Sequence, residues 1–201
     1  MDARDDGTLL KAWADGDRAA GAKLLERHHE ILYRFFRNKV SSGIEDLMQQ
    51  TMLACTRAVG RYRGESGFRA FLLGIARREF LLYLRTRSRK QAPLQPLEAS
   101  VAALMESPSQ VAALRSEQEL VAAAMRHLPV DIQVTLELYY WEDFSVAEVA
   151  ETTEVAPGTV KSRLHRGRAL LRTWIEAQEA VPAALRQSTM ARISSEMETD
   201  D

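Results

Sequence analysis

Apolar residues recur along this chain at the three- to four-residue spacing that is typical of amphipathic helices. In the first half the positions that follow this spacing are Leu24, Leu25, Leu32, Phe35, Phe36, Ile44, Leu47, Met48, Thr51, Cys55, Val59, Phe68, Phe71, Leu72, Ile75 and Leu82. Strands are not expected, because no β-branched run alternates with polar residues between hairpin turns. The pattern predicts an all-α fold.

The segment after Gly67 is apolar on more than one side. Leu73, Leu81 and Leu84 lie away from the stripe formed by Phe71 and Ile75. A helix that is apolar on several faces is usually covered on several faces. We therefore expect this helix to be sandwiched within the protein or to cover a partner.

Residues 91–115 interrupt the pattern. They contain three of the six prolines, no aromatic residue and no sustained amphipathic period, as is typical of a linker. We therefore predict two small helical domains joined by a flexible linker. The N-terminal domain covers residues 1–90 and the C-terminal domain residues 116–173, with a tail at 174–201.

The C-terminal domain carries the start signals of several helices. Ser116 with Glu119 and Ser145 with Glu148 have the spacing of capping boxes. A helix is predicted from Ser116 to Leu128, before Pro129, another from about Asp131 to Trp141, and a short one from Ser145 to about Glu151. A last, basic helix begins near Pro157. A short capped helix, a turn and a longer basic helix form the order of a helix-turn-helix, whose second helix enters the DNA major groove.

The periodicity of the last helix separates a core face from a polar face. Val160, Leu164 and Leu171 fall on one side and are expected in the core. The opposite side carries the candidates for base contacts, which are Ser162, His165, Arg166 and Ala169. Flanking it are the candidates for phosphate contacts, Lys161, Arg163, Arg168 and Arg172. The alternative is an ordinary surface helix with its arginines in solvent.

Charge is segregated along the chain although the net charge is only −1. Residues 57–90 and 161–172 are strongly basic, and the stretch between them, residues 98–154, is mostly acidic. Two basic surfaces favour two contacts with a polyanion, since neutralised phosphates supply sequence-independent affinity. Two solvated helix faces are the alternative.

Composition narrows the classes of protein. One cysteine cannot form an intrachain disulfide, the start MDARDDGTLL is acidic, and no apolar run approaches the roughly 20 residues that span a bilayer. We expect a cytoplasmic protein without membrane insertion. The four histidines lack partners at metal-ligand spacing, and no phosphate-cradling glycine loop occurs. No metal site, cofactor or enzymatic activity is predicted.

Two stretches resemble the extracytoplasmic-function (ECF) sigma factors of the sigma-70 family. The first, IEDLMQQTMLACTRAVGRYRGESGFRAFLLGIARREFLLYLRTRSRK, is similar to their second region. The other, residues 128–172, includes GTVKSRLHRGR, which is similar to their recognition-helix signature. The resemblance implies a subunit that binds core RNA polymerase and carries it to promoter DNA. Many family members are also held by an anti-sigma factor, but nothing in the sequence identifies one.

The resemblance also assigns roles to particular positions. Residues Asp46, Leu47, Gln49 and Gln50 match the motif that binds the polymerase clamp. The loop that captures a flipped base of the minus-ten element is matched by Arg63, Gly64, Glu65, Ser66, Gly67 and Phe68, with Arg77, Arg78 and Arg85 on the helix that follows. For the minus-thirty-five element the matching residues are Thr159, Lys161, Ser162, Arg163, His165, Arg166, Arg168 and Arg172.

Some positions depart from the family pattern. Arg78 and Leu82 stand where Asn and Asp are common, which puts the usual minus-ten preference in doubt. Glu154 takes the turn position usually held by glycine, at a cost of at most about 1–2 kcal/mol if it is left-handed. A helix-turn-helix activator or repressor that never binds polymerase is the alternative function. It leaves the motif at Asp46–Gln50 without a role.

Overall fold

All regular secondary structure in residues 3–62, 67–88 and 114–198, which the computed structural model describes, is helical. The N-terminal half contains α1 (Ala3–Ala14), α2 (Arg18–Arg27), α3 (His29–Arg37), α4 (Ile44–Ala58), a 3₁₀ turn (Val59–Arg61) and α5 (Phe68–Ser88). The C-terminal half contains α6 (Glu117–Arg126), α7 (Val130–Leu136), a π-helical turn (Glu137–Trp141), α8 (Val146–Thr153), α9 (Pro157–Glu176) and α10 (Ala183–Glu198). The predicted all-α fold is confirmed. Most of the predicted linker lies outside the described residues.

Side-chain caps fix where several helices begin. Ser116 and Ser145 each accept a hydrogen bond from the backbone N–H three residues on. The carboxylates of Glu119 and Glu148 in turn accept a hydrogen bond from the backbone N–H of Ser116 and Ser145. Both predicted capping boxes are therefore present. Hydrogen bonds from Ser145 lower the pKa of the Glu148 carboxyl, which favours the charged form that accepts them.

One predicted helix end and one predicted helix type differ from those in the structure. The first helix of the C-terminal half ends at Arg126, with His127 as its cap, rather than at Leu128. The next helix is α-helical only to Leu136 and continues as a π-helical turn to Trp141. No glycine or proline marks that change in the sequence.

Helix α5 is packed on more than one side, as its sequence predicted. It contacts α1, α3 and α4 of its own half and α8 of the other half. Leu73, Leu81 and Leu84 are all buried. The two halves are thus in direct contact, and the buried residues of both belong to one continuous apolar core.

The tail after Pro182 forms α10 and packs against α6 and α9. Thr189 and Ile193 are buried, and Arg192 forms an ion pair with Glu117 of α6 at 3.3 Å. A lone helix of this length is marginal in water, so this packing on α6 and α9 stabilises α10. None of the described helices has the length and hydropathy of a membrane span.

Candidate nucleic-acid interface

Helices α8 and α9 pack against each other and are joined by a short turn, which is the arrangement of a helix-turn-helix. The turn between them begins at Glu154, which adopts the left-handed conformation with φ 59° and ψ 43°. Glycine adopts this conformation readily and other residues rarely do. Glu154 thus holds the turn position that its place in the sequence predicted, in the left-handed conformation.

The core face of α9 lies where its periodicity placed it. Val160, Leu164 and Leu171 are buried. Gly167 lies so close to α7 that a Cβ atom there would be 2.3 Å from Leu136 Cδ1. The recognition helix is therefore seated directly on α7.

The opposite face of α9 is open to solvent and mainly polar. Its exposed residues are Thr159, Lys161, Ser162, His165, Arg166 and Ala169. No acidic side chain interrupts α9 until Glu176. This face can therefore approach a polyanion with little repulsion.

Three arginines that were expected to flank this face are engaged within the protein. Arg163 forms an ion pair with Asp131 at 2.8 Å, and its side chain is only 16% exposed. Arg168 donates to the Tyr140 hydroxyl at 3.3 Å, and Arg172 donates to Ser194 Oγ at 3.1 Å. In the free protein the Arg163 guanidinium therefore ties α9 to the start of α7, and the DNA contacts of the three arginines stay predictions.

The polymerase-binding positions lie on α4. Asp46, Gln49 and Gln50 are exposed, but Leu47 is buried at 2% exposure. Leu47 is therefore a core residue in this structure, on the side of α4 that packs inward, and the polymerase contacts of all four positions stay predictions. Leu53 is 50% exposed and extends the same face. Sequence reasoning missed it, although it lies three and four residues after Gln50 and Gln49.

Little of the minus-ten loop can be placed, because residues 63–66 lie outside the described residues. Gly67 is exposed, but Phe68 is buried between the rings of Trp13 (6.2 Å) and His28 (5.1 Å). Phe68 is thus a core residue in this structure, and its predicted contact with a base stays a prediction. His28 is itself buried, with its Nε2 atom 2.6 Å from Oδ2 of Asp6.

The basic residues of α5 differ in environment. Arg85 is exposed, whereas Arg78 forms an ion pair with Glu154 of the helix-turn-helix. Burial and, next in size, the charge of Arg163 lower the pKa of Arg77. Part of the expected minus-ten surface therefore faces the C-terminal half.

Comparisons with known proteins agree with this geometry. The sigma-70 region 2 family matches residues 24–90, and the sigma-70 region 4 family matches residues 118–171. The ECF RNA polymerase sigma factor SigM of Mycobacterium tuberculosis H37Rv is 34% identical over 170 residues, which cover 84% of this chain and 83% of SigM. The ECF RNA polymerase sigma-E factor of Escherichia coli K12 is 27% identical over 172 residues, covering 81% and 90%.

Solved structures share the fold. CnrH, solved in complex with the cytosolic domain of CnrY, superposes with a TM-score of 0.62 at 20% identity, covering 86% of this chain and 98% of CnrH. The sigma factor RpoE of Bartonella quintana, solved with the anti-sigma factor NepR, gives 0.60 at 22% identity, covering 78% and 96%. The chain belongs to the ECF sigma factors of the sigma-70 family. It is a regulatory protein that directs transcription initiation, and its region 2 match leaves the activator or repressor alternative disfavoured.

Proposed function

We propose that this sigma factor docks on core RNA polymerase through α4 and reads promoter DNA through α9 and the start of α5. The observation that carries this proposal is that α4 and α9 each expose a polar face to solvent while their apolar faces are buried in the core. Catalysis belongs to the polymerase, and the sigma factor acts in the cytoplasm, where polymerase and DNA are found. It needs no metal or cofactor for this role.

The face of α4 supplies the polymerase contact. Asp46, Gln50 and Leu53 lie on one side of the helix and are exposed. An apolar residue within a polar row gives a docking helix both buried area and directional hydrogen bonds. Leu53 therefore joins Asp46, Gln49 and Gln50 in the proposed interface.

The exposed face of α9 supplies the minus-thirty-five contact. Arg166 can bind a guanine edge with two hydrogen bonds, and Ser162 and His165 are also polar and accessible. Lys161 and Thr159 lie at the start of the helix, where phosphate contacts set its position. In the free protein Arg163 supports the helix through Asp131.

The minus-ten contact is proposed for the segment that leads into α5. Arg63, Gly64, Glu65, Ser66 and Gly67 match the base-capturing loop of the family. Arg77, Arg78 and Arg85 follow on α5, where backbone contacts to the separated strands are expected. An anti-sigma factor is a further proposed partner, as for the B. quintana relative.

A matched pair of double variants tests the polymerase contact. Asp46→Ala with Gln50→Ala is expected to lower affinity for core polymerase at least tenfold and to leave helicity unchanged, since both side chains are exposed. Asp15→Ala with Gln187→Ala removes the same chemistry from exposed positions elsewhere and is expected to bind like the parent. Equal binding by the α4 double variant and the parent would remove α4 from the interface.

A further inference from the structure

A buried ion pair joins the two halves of the chain. Lys39 follows α3 in the N-terminal half, and Glu137 begins the π-helical turn of the C-terminal half. Lys39 Nζ donates directly to Glu137 Oε2, and the two side chains are 0% and 5% exposed. Charged groups of this kind are seldom fully buried unless they are paired.

Each partner also has a contact within its own half. Lys39 Nζ donates to the Phe35 carbonyl at 2.8 Å and lies 3.7 Å from the centre of the Phe35 ring. Glu137 Oε1 accepts a hydrogen bond from Gln133 Nε2 at 3.0 Å. If the halves separated, each charged group would keep its contact within its own half and would also be hydrated by solvent.

Other contacts across the boundary are more exposed. Glu142 lies within ion-pair distance of Arg34 at 3.2 Å and of Arg69 at 3.4 Å. Arg78 and Glu154 pair while their side chains remain 60% and 57% exposed. Exposed ion pairs contribute about 0–1 kcal/mol each. The buried pair is therefore the charge contact on which the boundary depends most.

Closure engages part of the basic face of α5 and leaves the polar face of α4 open. Gly74 of α5 lies against α8, since a Cβ atom at Gly74 would be 3.4 Å from the Thr152 carbonyl oxygen. Arg77 and Arg78 face the helix-turn-helix across this contact. Asp46, Gln50 and Leu53 of α4 stay exposed. The closed chain thus presents its polymerase face while α5 is engaged.

We propose that Lys39 and Glu137 form a latch that holds the halves closed in the free protein and that opening it releases Arg77 and Arg78 of α5 for promoter DNA. The second part rests on the proposed function. The latch depends on both charges being present. Loss of one partner leaves a buried charge unpaired, whereas replacement of both by apolar residues removes that penalty.

Four variants of the full chain separate these effects. Glu137→Gln and Lys39→Met each break the pair, and Lys39→Met with Glu137→Leu replaces it by apolar side chains. Arg34→Gln is the control, because it removes a more exposed cation from the same boundary (46% against 0% for Lys39) and leaves Glu142 paired with Arg69. Far-UV circular dichroism checks that every variant keeps the helicity of the parent.

Small-angle X-ray scattering gives the decisive readout without DNA or polymerase. The parent and Arg34→Gln are expected to be compact, with a radius of gyration of about 17 Å. Each single latch variant is expected to be larger, because the ratio of open to closed chains rises about a hundredfold or more. The apolar double variant is expected to be compact again. An expanded parent, or single latch variants as compact as the parent, overturns the latch.

A fluorescein-labelled single-stranded oligonucleotide then tests the release of α5. At low salt the single latch variants are expected to bind it at least fivefold more tightly than the parent and the control. Expanded variants with unchanged affinity would overturn the masking of α5 while leaving the latch in place. Loss of DNA binding by every protein, the parent included, would count against the proposed function instead.

Discussion

At the residue scale, exposure divides the basic side chains of α9 into readers and supports. Arg166 and Lys161 are exposed, whereas Arg163 is held by Asp131. Arg166 lies on the face opposite the core, where base edges are expected. Lys161 lies at the second turn of the helix, beside the expected phosphates. These two positions should therefore differ in the kind of affinity they supply.

Substitution of these two residues separates base reading from phosphate binding. Arg166→Ala is expected to cost about 1–3 kcal/mol and to relax discrimination at one base pair of the upstream element. Lys161→Ala is expected to weaken binding to all sequences and to lower the slope of affinity against salt by about one. Fluorescence titrations with promoter variants at several salt concentrations measure both effects. Equal losses on every variant would contradict the distinction.

Cys55 gives a second residue-scale prediction. Burial, and next the charge of Glu79, raise the pKa of its thiol to about 12. The native thiol should resist iodoacetamide at pH 8 and react rapidly in denaturant, because the thiolate is the reactive form. Because the pKa of this thiol is raised, its contribution to the stability of the fold is fully present below pH 9.0, the ordinary pKa of a thiol. The contribution is lost as the pH rises towards about 12. Rapid labelling of the native protein at pH 8 would contradict this burial.

Periodicity and family resemblance gave different predictions for two apolar residues. Leu47 lay on the apolar stripe of α4 and also in the polymerase motif, and its burial agrees with the stripe. Phe68 likewise lay on a stripe and also flanked the base-capturing loop, and it is buried. Motif resemblance marks a position without stating where its side chain points. The helical period supplies that direction.

At the element scale, the sequence predicted helix starts better than helix interiors. The caps at Ser116 and Ser145 are local hydrogen bonds, so the few residues around each determine them. The π-helical turn at Glu137–Trp141 carries no comparable local signal. Its first residue contacts Lys39, which is 98 positions away. A local pattern contains no information on such a partner.

Gly167 tests how α9 is seated. A Cβ atom at this position would be 2.3 Å from Leu136 Cδ1 and 2.7 Å from Ile132 Cγ2. Gly167→Ala is expected to destabilise the protein by about 1–3 kcal/mol through overpacking, partly offset by up to about 1 kcal/mol of helix propensity. Gly158→Ala on the same helix is the control, since nothing lies within 4 Å of its Cβ position. Chemical denaturation measures both, and a Gly167→Ala protein at least as stable as the Gly158→Ala protein would contradict the close packing.

At the scale of the whole molecule, the two predicted domains pack directly against each other and share one apolar core. The sequence separated the halves by a linker and placed the helix-turn-helix in the second half. It did not predict that α8 packs on α5 or that Lys39 pairs with Glu137. Both contacts join residues far apart in the chain, where composition shows only that a lysine and a glutamate are present. The apolar residues on several faces of α5, which predicted that this helix is packed on more than one side, were the one feature of the local sequence that indicated this arrangement.

Run-off transcription with purified core RNA polymerase on genomic fragments tests the central claim most directly. Core polymerase supplemented with this chain is expected to begin transcription at discrete sites preceded by two shared elements, whereas core polymerase alone should not. The Asp46→Ala, Gln50→Ala double variant should reduce these transcripts, and Arg166→Ala should reduce them most where the upstream element matches best. If the folded chain adds no discrete start site on any fragment from its own genome, the account of this protein as a promoter-specificity subunit is contradicted.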